Sequence, residues 1–72
     1  MKAKLERIRE LRLERSLTQQ DLAKYLGISQ QVYSNYERGT RSVALPQLVD
    51  LCEFYKVSSD YMLGLTDFPR YK

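Results

Sequence analysis

The 72-residue chain has no histidine, a single cysteine, two prolines and three glycines. Without histidine it lacks the side chain best suited to proton transfer near neutrality, which is also a common metal ligand. Cys52 alone excludes an intramolecular disulfide and is compatible with a reducing compartment; no spaced set of metal ligands surrounds it. There is no glycine-rich phosphate loop either, so no catalysis, cofactor or metal is expected. No apolar run approaches the roughly 20 residues that a membrane-crossing helix needs, and no secretory segment is evident. These absences predict a cytoplasmic protein that is not an enzyme and has no membrane partner.

What is present predicts one compact helical domain. Hydrophobic residues make up 43% of the chain, and few helix breakers interrupt them. The length is near the lower limit at which a chain buries enough surface to fold alone. Lysine and arginine number 12 against nine acidic residues, for a net charge of +3. That balance suits a polyanionic partner without demanding one. Residues 1–65 read as the domain and 66–72 as a short tail.

The central stretch runs from Ser29 to Gly39. Ser29 is a good N-cap, and Gly39 is suited to a left-handed helix end. Helical spacing turns Tyr33, Tyr36 and Glu37 to one side and Gln31, Ser34, Asn35 and Arg38 to the other, with Gln30 beside them in the first turn. The second side is a hydrogen-bonding surface of the kind that reads base edges in a DNA major groove. Taken alone it fits an ordinary solvated helix face better. The segment before it, from Thr18 to Leu26, also reads as a helix. Thr18 and Asp21 form a capping-box-like start, Leu22, Ala23 and Leu26 form an apolar stripe, and Gly27 can end it. Two short helices joined by so tight a turn make a helix-turn-helix, whose second helix enters the groove.

Leu17-Thr18-Gln19-Gln20-Asp21-Leu22-Ala23, Leu26-Gly27-Ile28-Ser29-Gln30 and Tyr36-Glu37-Arg38-Gly39 together resemble the Cro/C1-type (XRE) helix-turn-helix family of phage and bacterial repressors. Val57 to Leu63 is similar to that family's fifth helix. The resemblance runs from about Ile8 to Leu63 and implies a compact five-helix, all-α, lambda-repressor-like domain.

The remaining elements fit the same pattern. A first helix from about Lys4 to Arg15 turns Leu5, Ile8, Leu11 and Arg12 toward the core. The resemblance implies a structural ion pair between Arg12 and Glu37. Ser16 stands at a helix end where the family often has Gly. Val43 and Ala44 replace the family's usual Pro and Ser, so a fourth helix, running to about Tyr55, loses its side-chain cap. Pro46 in its first turn partly offsets that loss. This helix is expected to bury Leu45, Leu48, Leu51, Cys52 and Tyr55, with Cys52 as core filler. Ser58 caps a short fifth helix carrying Met62 and Leu63.

As a DNA reader, the chain assigns base contacts first to Gln30 and Gln31, whose amides match adenine N6 and N7, then to Ser34 and Asn35. Val32 can touch a thymine methyl or simply pack. The resemblance implies phosphate contacts by Gln19 at a helix N-terminus and by the loop after Gly39. Ser29, Arg38, Thr40, Arg41 and Ser42 complete that clamp. One such domain covers about half an operator, so a homodimer is expected. Phe54, Tyr61, Phe68 and Tyr71 fall off the core stripes and are its candidate interface. A sequence-specific transcriptional regulator, a repressor on double-stranded operator DNA, is the leading function. The alternative is a protein-interaction module on the same fold, such as an antitoxin with a protein partner.

Overall fold

The computed structural model describes residues 6–69. Among them lie five helices and no strand: α1 Glu6–Glu14, α2 Gln19–Leu26, α3 Gln30–Arg38, α4 Leu45–Tyr55 and α5 Ser59–Met62. Of the residues expected in the first helix, Lys4 and Leu5 lie outside the described residues.

Local chemistry sets the helix starts. Thr18 Oγ1 accepts from the Asp21 amide at 3.0 Å, and the Asp21 carboxylate accepts from the Thr18 amide at 2.9 Å. This reciprocal box satisfies two amides that would otherwise lack partners at the start of α2. Ser29 and Ser58 cap α3 and α5 through the amides of Val32 and Tyr61. Ala44 provides no side-chain cap for α4, which begins with Pro in its first turn as the sequence predicts.

Helices α1 to α4 all end on a residue with positive φ: Ser16, Gly27, Gly39 and Lys56. In each case the next amide donates back into the last turn: Leu17 to Arg12 O, Ile28 to Ala23 O, Thr40 to Asn35 O and Val57 to Cys52 O, all at 3.0–3.1 Å. A Cβ at Gly27 would meet nothing within 4 Å, so its φ of 71°, not lack of space, is what favours glycine there. Ser16 takes φ 56° without that freedom, so the turn after α1 closes in the left-handed form at a cost in backbone strain.

Leu17, Ile28 and Val57 then pack against the core, so each of those helix ends is also a core contact. The core gathers Ile8, Leu11, Leu22, Ala23, Tyr33, Tyr36, Leu48, Leu51, Cys52, Tyr55, Val57 and Met62. Leu45 is a correction: expected in the core, it is 71% exposed. It continues the stripe of Leu48 and Cys52, but sits in the first turn, where α4 projects past the core it covers.

Two of the aromatics placed outside the core stripes are engaged within the chain. Phe54 packs against Tyr25 at 4.6 Å and Tyr55 at 5.0 Å between ring centroids. Tyr61 lies under the Arg7 guanidinium at 4.1 Å. Both are half-buried. Phe68 is 76% exposed, and Tyr71 lies outside the described residues. Arg7 also ties the tail to α1. It donates to the carbonyls of Tyr61 at 3.2 Å and Thr66 at 2.7 Å, and to Asp67 Oδ1 at 2.9 Å.

Candidate nucleic-acid interface

Three buried residues fix how α3 is presented. Tyr33, Tyr36 and Glu37 face inward, as helical spacing predicts. Arg12 Nε donates to Glu37 Oε2 at 2.7 Å and Arg12 Nη2 to Oε1 at 3.1 Å, a two-pronged pair joining α1 to α3. A third prong, from Arg12 Nη1 to Leu17 O at 2.9 Å, fixes the turn into α2. Gln19 Nε2 donates to Glu37 Oε1 at 3.1 Å, so α1, α2 and α3 meet at one carboxylate. Burial alone raises the Glu37 pKa. The donors Arg12 and Gln19, with the Tyr33 hydroxyl alongside, outweigh it and hold the carboxyl below the usual range. The bond to Glu37 correspondingly raises the Arg12 pKa.

The Tyr33 and Tyr55 hydroxyls are buried beside this pair, and neither reaches hydrogen-bond geometry with a partner. Burial pushes the Tyr55 phenol up to about 12 and the Tyr33 phenol further. From the other side, the Tyr36 hydroxyl donates to Gln47 Oε1, joining α3 to α4.

On the outward face, Gln30, Gln31 and Arg38 are exposed, with Ser34 and Asn35 half-buried between them. Gln31 Nε2 donates to Asn35 Oδ1 at 3.2 Å, and Arg38 Nη2 donates to the same oxygen at 2.6 Å. Val32 is half-buried and packs against the core. Ser29 Oγ accepts from the Val32 amide, which leaves its hydroxyl proton for an outside acceptor. Thr40, Arg41 and Ser42 form an exposed polar run just past the end of α3.

A cleft of about 300 Å³ opens beside this face. Gln19, Ser34, Glu37 and Arg38 line one part of it, and Glu6, Arg9 and Glu10 of α1 line the rest. Sequence reasoning missed the α1 contribution. Its signal is the i, i+3, i+4 spacing of three charged residues, which also describes any solvated helix face. Among the described residues no cluster of His, Cys, Asp and Glu suits a metal, and no helix is long and apolar enough to cross a membrane.

Comparison with known proteins extends this geometry. The helix-turn-helix family model matches residues 8–62. The chain is 44% identical over 64 residues to the uncharacterised HTH-type transcriptional regulator YobD of Bacillus subtilis, covering 89% of this chain and 57% of that protein. It is 41% identical over 51 residues to the cryptic phage CTXphi transcriptional repressor RstR of Vibrio cholerae, covering 71% and 46% of the two chains. It is 39% identical over 59 residues to the HTH-type transcriptional regulator ImmR of Bacillus subtilis, covering 82% and 46%. The chain thus spans about half the length of these curated relatives. Among solved structures, the P22 c2 repressor protein in complex with a synthetic operator superposes with a TM-score of 0.75 at 30% identity, covering 88% of this chain and 96% of that one. With the matched residues running from α1 to the end of α5, the chain belongs to the helix-turn-helix family, of the Cro/C1 type.

Proposed function

We propose that residues 1–65 form the sequence-specific double-stranded DNA-binding domain of a transcriptional regulator, acting as a repressor, with α3 in the major groove of an operator. The observation that carries this reading is the outward face of α3. It offers two exposed glutamine amides at the start of a helix that is held rigidly from behind by the Arg12–Glu37 pair. The P22 c2 repressor, similar in fold and sequence, is seen in complex with an operator.

In this reading Gln30 and Gln31 read bases, with Ser34 and Asn35 on the same face and Val32 at its buried edge. Gln19, Ser29, Arg38, Thr40, Arg41 and Ser42 hold phosphates. One amide proton of Gln19 is committed to Glu37, and the second remains for a phosphate at the start of α2. Arg9, which shares the cleft with Gln19 and Arg38, joins this positioning set.

The described residues extend 29 Å along their longest principal axis, against roughly 34 Å for one helical turn of DNA. That size is compatible with one copy per half-site on successive turns, the homodimer of this reading, acting in the cytoplasm. Of the aromatics assigned to the dimer surface that lie among the described residues, Phe68 is the one left open.

One observation favours a second reading, a protein-interaction module such as an antitoxin: Leu63, Leu65 and Phe68 are all exposed close together in sequence. Selection of bound duplexes from a random DNA pool separates the two. Recovery of a shared sequence supports the operator reading, and failure to enrich any sequence supports a protein partner.

A further inference from the structure

The oxygen of the Asn35 side chain is fully used within α3. A carbonyl oxygen has two lone pairs, and Asn35 Oδ1 accepts from Gln31 Nε2 at 3.2 Å and from Arg38 Nη2 at 2.6 Å. The orientation of both amides comes from chemistry. A guanidinium only donates, so the Asn35 atom facing Arg38 is the oxygen, and the Gln31 atom facing that oxygen is the nitrogen. With its oxygen occupied, Asn35 cannot pair with adenine through acceptor and donor together. Gln31 can, because it is exposed and its one hydrogen bond, to Asn35, leaves Oε1 and the second amide proton available.

We infer that Asn35 is a positioning residue: its side-chain oxygen aims the Gln31 amide and the Arg38 guanidinium, and base discrimination by Gln31 depends on that oxygen and not on a base contact made by Asn35. The inference rests on the operator reading above. It also divides the two tethered groups by role. Gln31 is directed at a base edge, and Arg38, about two turns further along, at the phosphates flanking it. A rotamer fixed before binding is one that the complex no longer has to order.

The test uses the full chain and a duplex selected by it from a random pool, with each base pair varied in turn. Gln31→Ala first locates the base pair that depends on Gln31. Asn35→Ala should then lower discrimination at that same pair by roughly two- to tenfold, the net worth of one hydrogen bond. In the Gln31→Ala background it should change nothing further there. Asn35→Asp keeps the acceptor and loses both donors. It should preserve the discrimination ratio while weakening binding to every duplex, because it adds a negative charge beside the phosphates. Helix content measured by circular dichroism checks that each variant folds.

Loss of discrimination in Asn35→Asp equal to that in Asn35→Ala would mean that Asn35 reads through its donors, and would overturn the inference. Unchanged discrimination in Asn35→Ala would overturn it as well. A Gln31→Ala variant silent at every base pair would instead remove the reading head itself, and the positioning role with it.

Discussion

Arg12 and Glu37, 25 positions apart in the chain, meet at 2.7 Å with both side chains largely shielded from water. The pair is the junction of three helices, because Gln19 reaches the same carboxylate. Removing the charge on one partner leaves the other buried and uncompensated. Glu37→Gln should therefore cost about 3–5 kcal/mol, read as a shift in the urea midpoint at unchanged slope. A loss below about 1 kcal/mol would place the pair with surface ion pairs instead.

The same carboxylate sets the acid limb of stability. Its pKa in the folded chain lies below the ordinary value, so its contribution is complete above the unfolded carboxyl range. That contribution is lost as pH falls through the lower, folded value. Thermal melts taken downward from neutral pH should show this decline, and Glu37→Gln should flatten part of it. Tyr33 and Tyr55 act at the other end. Their folded pKa values are raised, so stability should fall as pH climbs past the unfolded phenol value of about 10. Phenolate absorbance should show these two tyrosines ionising only on unfolding.

The proposed DNA surface divides into two classes that should respond differently to salt. Gln30→Ala or Gln31→Ala should lose about 1–3 kcal/mol of discrimination at one base pair per half-site while leaving random-duplex binding nearly unchanged. Arg41→Ala should weaken binding to operator and random duplex alike. Each phosphate contact it removes should flatten the plot of log affinity against log salt by about 0.9, and a dimer should lose about twice that. Salt titrations of the variants on both duplexes check the division.

Much of this was legible because it is local. Ser29, Ser58 and the Thr18–Asp21 box announce their helices within four residues of chain, and Tyr33, Tyr36 and Glu37 turn inward by simple helical spacing. Leu45 shows where periodicity stops being informative. A stripe says which way a side chain points, not whether the neighbouring surface extends far enough to cover it. The Arg7 contacts with Thr66 and Asp67 span about sixty positions, and no short-range pattern encodes such a pairing. The saturated Asn35 oxygen was equally hidden, because residue type gives hydrogen-bonding capacity but not how much of it is already spent.

The dimer prediction narrows accordingly. Phe54 and Tyr61 are occupied inside the chain, so among the described residues Phe68 is the one to change. Phe68→Ser should shift sedimentation equilibrium toward monomer and weaken operator binding without altering the monomer's urea midpoint. An unchanged association constant would move the interface away from the tail.

Ser16 offers a gain. It holds φ 56° with a side chain that disfavours that region by about 1–2 kcal/mol, while glycine costs about 0.5–1 kcal/mol through the unfolded chain. Ser16→Gly should raise stability by about 0.5–1 kcal/mol, visible as a higher melting temperature. A decrease would show that the serine hydroxyl does more in that turn than its backbone costs.

The four left-handed helix ends share a geometry but differ in the residue that comes next. After Ser16 and Gly27 the chain packs an apolar side chain against the core, and after Lys56 it buries Val57 within it, so loosening any of those ends also loosens contacts with the interior. After Gly39 comes Thr40, which is polar and exposed, and its amide closes the turn onto the peptide oxygen of Asn35. The start of the loop beyond α3 is thus bolted to that helix, and the chain meets the centre of the molecule again only at Val43. The loop between can settle against the contour of a duplex, one operator or another, while the body of the domain stays as it was.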